Sequence, residues 1–91
     1  MKISEEKRKR ISEQILSLLY ANFPEPLFTI KISEKIIRDE EFTKDLLIHL
    51  EKRNLLKRIK ENPHGITYKR RIRWTITNKV YTFYKESYKS Q

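Results

Sequence analysis

The side chains best suited to bind a charged partner are concentrated in residues 57–73. Seven of these seventeen residues are basic and only Glu61 is acidic, and the turn-forming sequence Asn-Pro-His-Gly occupies positions 62–65. A tight turn in the middle of this segment predicts two short β-strands joined as a β-hairpin. A basic hairpin can contact successive phosphates of a nucleic acid, although charge on an edge strand can also serve only to prevent aggregation. The basic residues are Lys57, Arg58, Lys60, Lys69, Arg70, Arg71 and Arg73.

Charge is distributed unevenly along the 91 residues, whose formal net charge is +9. Residues 1–10 contain five basic and two acidic side chains, whereas residues 34–51 contain three basic and six acidic side chains. Segregated positive charge of this kind favours a polyanionic partner, most often nucleic acid. The length suits one domain that covers residues 1–91 and has a small core.

Residue types that support catalysis or metal binding are scarce. The chain has no cysteine, two histidines and one glycine, so we recognise no thiolate site, no histidine ligand set and no glycine-rich phosphate loop. We therefore expect a protein that is not an enzyme and needs no cofactor or metal. No apolar run approaches the roughly 18 residues of a membrane span, so we expect a cytoplasmic protein without membrane contacts.

The first predicted element is a helix over about residues 4–22. Ser4 is a suitable cap, and apolar residues recur at helical spacing. Pro24 and Pro26 cannot continue the helix, and the apolar residues 27–30 predict a short strand. The predicted inner stripe of the helix consists of Ile11, Ile15, Leu18 and Leu19.

Two further helices are predicted before the basic hairpin. The second covers about residues 30–38, with Thr29 or Ser33 as its cap, and the third covers about residues 41–53. Acidic residues at the start of the third helix suit the helix dipole. The predicted inner residues are Ile32, Ile36 and Ile37 in the second helix and Phe42, Leu46, Leu47 and Leu50 in the third.

The hairpin is predicted over about residues 55–76. Asn54 can close the preceding helix in a left-handed conformation, and Thr77 can cap a last helix over about residues 78–89. In the second hairpin strand, alternation places Ile66, Tyr68, Ile72, Trp74 and Ile76 on one face and Thr67, Lys69, Arg71, Arg73 and Thr75 on the other. The last helix has a predicted aromatic stripe of Val80, Tyr81, Tyr84 and Tyr88, with Phe83 beside it.

Residues 47–58, LIHLEKRNLLKR, and residues 74–77, WTIT, resemble the winged helix-turn-helix family. The first stretch matches the common pattern L-x-x-L-E-x-x-G-L-x-x-R, with Asn54 in place of the glycine, and Val80 stands where the family often has glycine. The chain is similar to small archaeal proteins of the PadR and MarR kind, including plasmid and virus regulators. The resemblance implies an α+β, mainly α fold with a three-helix core, a β-hairpin wing and a C-terminal helix.

The resemblance also implies how such a chain would contact DNA, with the third helix in the major groove and the wing on the backbone or in the minor groove. The outer face of that helix carries Glu41, Lys44, Asp45, Ile48, Glu51 and Lys52, which are either base-contacting or merely solvated. The acidic members oppose binding to phosphates. The predicted DNA-binding residues are Lys44, Ile48 and Lys52 on the helix, the seven basic residues of positions 57–73, and His64 near the wing tip.

The expected function is that of a dimeric transcriptional regulator that binds double-stranded DNA. The alternatives are a DNA-coating or plasmid partition protein, which would form higher-order assemblies on DNA, and a protein-interaction adaptor. Charge reversal at Arg71 and Arg73 would abolish function in the first two cases and matter less in the third. The aromatic stripe predicts a dimer interface or packing on the first helix. The predicted interface residues are Ile11, Ile15, Leu19, Tyr81, Tyr84 and Tyr88.

Overall fold

The computed structural model describes residues 4–59 and 72–89, with side chains as far as Ser87. These residues form α1 (Glu5–Asn22), β1 (Leu27–Phe28), α2 (Thr29–Ile36), α3 (Glu40–Lys52), β2 (Leu56–Ile59), β3 (Arg73–Ile76) and α4 (Asn78–Lys89). The predicted α+β, mainly helical order of elements is confirmed. The middle of the predicted wing, with Lys60, His64, Lys69, Arg70 and Arg71, lies outside the described residues, as does the side chain of Tyr88.

α1 begins and ends where the sequence predicts. The Ser4 side chain accepts a hydrogen bond from the Lys7 amide (3.2 Å), which satisfies one of the free amides of the first turn. Ile11, Ile15 and Leu19 are all buried in the core of the chain itself. The prediction that these three residues form a dimer interface is therefore wrong, because at most 4% of any of them is exposed to a second molecule.

α2 differs from the prediction at both ends. It begins at Thr29 and ends at Ile36, and neither Thr29 nor Ser33 caps it, since the residue before it is Phe28 and makes no side-chain cap. The Ser33 hydroxyl instead donates to the carbonyl of Ile30 (2.8 Å) inside the helix. Ile37, predicted to face inward, is 87% exposed and adopts the left-handed conformation with φ 55°. That change of conformation ends the helix and turns Ile37 away from the core.

α3 lies one residue earlier than predicted because Asp39 is its cap. The Asp39 carboxylate accepts hydrogen bonds from the amides of Glu41 (3.1 Å) and Phe42 (3.0 Å), a favourable use of an acidic side chain at a helix N-terminus. The predicted stripe is confirmed for the three leucines, which are buried, whereas Phe42 is only half-buried. Thr43, which the pattern did not single out, is also buried. The leucines are Leu46, Leu47 and Leu50.

The three described strands form one antiparallel sheet in the order β1-β3-β2. β3 is the middle strand and also packs against α1 and α4. Trp74 and Ile76, predicted on one face, and Thr75, predicted on the other, are all buried. The predicted alternation therefore does not appear as alternating exposure in β3, and residues 66–71 of the predicted strand lie outside the described residues.

α4 packs on the end of α1. The Tyr81 ring stacks on Phe23 with 4.3 Å between ring centroids, and the Tyr84 ring stacks on Tyr20 at 5.4 Å. Of the two explanations for the aromatic stripe, packing on the chain's own first helix is the one observed at these positions. Phe83, beside the stripe, is 66% exposed.

Within the described residues, Ile37 and Asn54 adopt left-handed backbone, and substitutions at these two positions can test the cost of that conformation. Left-handed backbone costs roughly 1–2 kcal/mol for an ordinary residue and less for asparagine. Asn54 (φ 61°) suits its position, whereas Ile37 does not. We expect Ile37→Asn to raise the free energy of unfolding by about 1 kcal/mol and Asn54→Ile to lower it by a similar amount. Urea denaturation would measure both, and a destabilised Ile37→Asn would contradict the strain argument.

Candidate nucleic-acid interface

The outer face of α3 carries a row of residues that sequence spacing had placed together. Lys44, Ile48 and Lys52 follow one another at intervals of four, so they share one face of the helix. Both lysines are exposed, and Ile48 is half-buried at the edge of the core. Glu41 and Asp45 are also exposed. The face therefore mixes charges of both signs around one apolar side chain.

Arg58, which was predicted to bind DNA, is instead hydrogen-bonded to Glu51 on the outer face of α3. The Arg58 guanidinium donates from Nε to Oε2 of Glu51 and from Nη2 to Oε1, both at 2.7 Å. The two side chains are about a quarter exposed, at 26% for Arg58 and 27% for Glu51. These hydrogen bonds raise the pKa of Arg58 above its ordinary value, and the negative charge of Glu51 adds to the effect against the opposing influence of burial.

Arg58 also lies on the face of Trp74. Its Cζ atom is 5.0 Å from the centre of the ring, within the range of a cation–π contact, and the two residues are direct partners in the β2–β3 register. Glu51, Arg58 and Trp74 therefore join the end of α3 to both strands of the described wing base. The family pattern that residues 47–58 resemble contains both Glu51 and Arg58, but a pattern of residue types does not show that the two side chains contact each other.

The indole N–H of Trp74 is hydrogen-bonded to the first residue of α2. Its Nε1 atom donates to the Thr29 hydroxyl (2.8 Å), and the Thr29 hydroxyl lies 3.5 Å from the Ile72 carbonyl oxygen. Trp74 has no exposed surface, so its N–H group needs a partner within the protein. The Thr29 hydroxyl is that partner, and Thr29 is the first residue inside α2 rather than its cap.

Two more of the predicted cations lie in the described part of the sheet. Lys57, on β2, is exposed, and Arg73, on β3, is half-buried. The Arg73 guanidinium lies over the Phe28 ring, 5.9 Å from its centroid. Lys57 is thus the more accessible of the two to a ligand, and part of the Arg73 surface is covered by an aromatic ring.

A groove between α1 and the C-terminal part of α3 was not predicted. It has a volume of about 590 Å³ and is lined at its base by Leu16, Leu46, Leu50 and Leu55. Its rim includes Arg8, Lys9 and Arg53 together with Glu5, Glu6 and Glu13. Because the rim contains three charges of each sign, it has no evident preference for an anion.

Metal and membrane sites are also not indicated in the described ranges. Over residues 4–59 and 72–89, no group of three or more histidine, aspartate or glutamate side chains is placed to hold a metal ion. None of the helices within the same ranges has the length and apolar character of a membrane-spanning segment.

Comparison with known proteins identifies the fold. No family model and no curated protein matches the chain. Among solved structures, the Staphylococcus aureus MepR–DNA complex has a TM-score of 0.72 at 22% identity, covering 93% of this chain and 66% of MepR. A Lactococcus lactis ZitR variant in apo form has a TM-score of 0.70 at 24% identity, covering 93% of this chain and 59% of ZitR.

A smaller neighbour has the same core. The Zalpha domain of Carassius auratus PKZ, in complex with Z-DNA, has a TM-score of 0.61 at 17% identity, covering 77% of this chain and 97% of that domain. The four helices and three-stranded sheet described above are those of a winged-helix fold, as in MepR and ZitR. The chain spans about half to two thirds of the MepR and ZitR chains. The predicted similarity to archaeal PadR-like plasmid regulators stays a prediction.

The hydrogen bond between Trp74 and Thr29 can be tested by an isosteric change. Thr29→Val keeps the side-chain shape but leaves the buried indole N–H without its acceptor, so we expect the free energy of unfolding to fall by about 1–3 kcal/mol. Thr82→Val, on the exposed side of α4, makes the same change and should alter stability by less than about 0.5 kcal/mol. Equal effects of the two substitutions in chemical denaturation would contradict a role for this bond.

Proposed function

We propose that residues 1–91 form a single winged-helix domain that binds double-stranded DNA as a transcriptional regulator. The observation that carries the proposal is the row of Lys44, Ile48 and Lys52 on the outer face of α3, in a chain of net charge +9. In a winged-helix protein this face enters the major groove. MepR, which has the same fold, has been crystallised with DNA and is a transcription regulator of a multidrug efflux pump. Such a regulator would act in the cytoplasm.

The residues of α3 suggest how bases would be read. Lysine donates to guanine O6 and N7, an exposed carboxylate accepts from cytosine N4, and an apolar side chain can contact the thymine methyl group. Lys44, Asp45 and Ile48 supply one side chain of each kind. Phosphate contacts would come mainly from Lys57 and from the basic residues of positions 60–71, which lie outside the described residues.

A second function is favoured by the acidic residues of α3. Glu40, Glu41 and Asp45 are all exposed, and negative charge on a helix in the groove weakens overall affinity. A protein that coats DNA or partitions a plasmid would rely on backbone contacts and on contacts between neighbouring molecules, so it would need little base recognition. A regulator would prefer particular DNA sequences and a coating protein would not, although both would bind DNA with the same surface.

We also propose that the protein acts as a homodimer through α4. Tyr81 and Tyr84 are half-buried and pack on Phe23 and Tyr20, whereas Phe83, on the same helix, is 66% exposed. A second copy of the chain would cover Phe83 and place two α3 helices in successive grooves of one duplex. Dimerisation would also add buried apolar surface to a small core.

DNA binding can be measured by fluorescence anisotropy with the gene's own upstream duplex and a random duplex, each over a salt series. If about six phosphates are neutralised per protomer, the slope of log K against log salt should be about −5. Preference for the upstream duplex would support a regulator, and equal, cooperative binding to both would support a coating protein. Absence of binding to either duplex at low salt would contradict both proposals and leave the adaptor interpretation.

The same assay tests the contribution of α3 through a matched pair of substitutions. Lys52→Gln should weaken binding and reduce the magnitude of the salt slope by about 1, because one phosphate contact is lost. Lys79→Gln, on α4, makes the same charge change at another exposed position and should leave the slope unchanged.

The proposed dimer predicts an effect of charge at Phe83. Phe83→Lys should shift the protein toward the monomer in sedimentation equilibrium, because a buried unpaired charge opposes association. Thr82→Lys introduces the same charge at the neighbouring exposed position and serves as the control. A wild-type protein that is monomeric at high concentration would contradict the proposal.

A further inference from the structure

The contact between Glu51 and Arg58 leaves little of either charge available to a ligand. The carboxylate uses both oxygens to accept from the guanidinium, with 2.7 Å in each hydrogen bond. One face of the same guanidinium lies over the Trp74 ring. A two-point contact of this kind fixes the direction of the arginine as well as its position. For a phosphate approaching from solvent, the pair is close to neutral.

The pair lies where α3 is joined to the wing. Glu51 is in the last turn of α3 and Arg58 is the third residue of β2, with the left-handed Asn54 between them. Backbone hydrogen bonds from Asn54 to Glu51 (3.0 Å) and from Leu55 to Leu50 (3.0 Å) close the turn. The side-chain pair is thus a further link between the helix and the strand that leads into residues 60–71.

We propose that Glu51 and Arg58 are positioning residues of the DNA interface, which fix the orientation of β2 relative to α3 and hold the Arg58 guanidinium off the DNA backbone. The inference rests on the proposed DNA-binding function. It differs from the sequence prediction that Arg58 binds DNA directly, and from the alternative in which Glu51 contacts bases. Those roles would require the pair to separate, which leaves two partly buried charges without their partner.

The two roles predict opposite effects of neutralising Glu51. If Glu51 merely faces DNA, Glu51→Gln removes a repelling negative charge and tightens binding. If Glu51 positions Arg58, the same substitution weakens binding, because a neutral amide cannot accept two charge-assisted hydrogen bonds from the guanidinium. The sign of the change in affinity therefore distinguishes the two roles.

The experiment is the anisotropy titration with the upstream duplex at fixed salt. We expect Glu51→Gln to bind about tenfold more weakly than the wild type. Glu34→Gln is the matched control, because it removes the same charge from an exposed position on α2. It should bind as tightly as the wild type or more tightly. A Glu51→Gln variant that binds as tightly as the wild type, or more tightly, would overturn the proposal.

Substitution of Arg58 supplies a second readout, the salt slope. Arg58→Gln should weaken binding without changing the slope, and the double variant with Glu51→Gln should bind no more weakly than the weaker single variant. A slope reduced in magnitude by about 1 would identify a direct phosphate contact and overturn the proposal. If circular dichroism shows that Arg58→Gln is unfolded, Arg58→Lys replaces it. It keeps the charge, so weaker binding would support the positioning role and unchanged binding would overturn it.

Failure of this inference is distinguishable from failure of the proposed function. A wild-type protein that does not bind the duplex overturns the DNA-binding proposal, and this inference with it. A wild-type protein that binds the duplex, with a Glu51→Gln variant that binds it more tightly, overturns the positioning role alone.

Discussion

The complete burial of Trp74 is the constraint on which the described structure depends. Its indole has no exposed surface, so the ring must be enclosed by apolar neighbours and its N–H must find an acceptor. The Thr29 hydroxyl meets the second requirement, which links the start of α2 to the middle strand of the sheet. Arg58 covers the ring from β2 and is itself held by α3. One side chain thereby brings together α2, α3 and the base of the wing.

The separation of charge between α3 and the wing has a physical consequence for the proposed function. Exposed acidic side chains on α3 oppose the phosphates that the basic residues of positions 57–73 attract. The pairing of Glu51 with Arg58 reduces this conflict at the point where the helix and the strand meet, because each charge is compensated within the protein. If the chain binds DNA as proposed, the remaining acidic side chains of α3 would weaken its attraction to phosphates, and specific contacts to bases would then matter more for its contribution to affinity.

Local sequence signals predicted the elements well. Ser4 and the spacing of Ile11, Ile15 and Leu19 define α1 through contacts within a few residues, and Asn54 ends α3 through its own conformational preference. The start of α2 could not be predicted in this way, because the Thr29 hydroxyl is bound by a residue 45 positions away. Ile37 was misplaced for a related reason, since its left-handed backbone breaks the periodicity on which the prediction relied.

The candidate site was predictable in outline but not in its contacts. An apolar stripe shows that a helix is covered but not by which molecule, so Ile11, Ile15 and Leu19 were assigned to a partner when the chain's own core covers them. A count of charges likewise shows an excess of basic residues but not which of them are already paired. Arg58 contributes to the net charge of +9, yet its contact with Glu51 is visible only once helix and strand are placed together.

Thr77 connects the start of α4, the proposed dimer helix, to the turn that follows α3, the proposed DNA-contacting helix. Its amide donates to the carbonyl of Leu55 (3.2 Å) and its hydroxyl to the carbonyl of Asn54 (3.1 Å), so the beginning of α4 is fastened to the turn that follows α3. In a dimer formed through α4, these two hydrogen bonds would help to set the distance between the two α3 helices. The spacing of half-sites along the duplex would then depend on Thr77, a residue that would contact neither the DNA nor the partner.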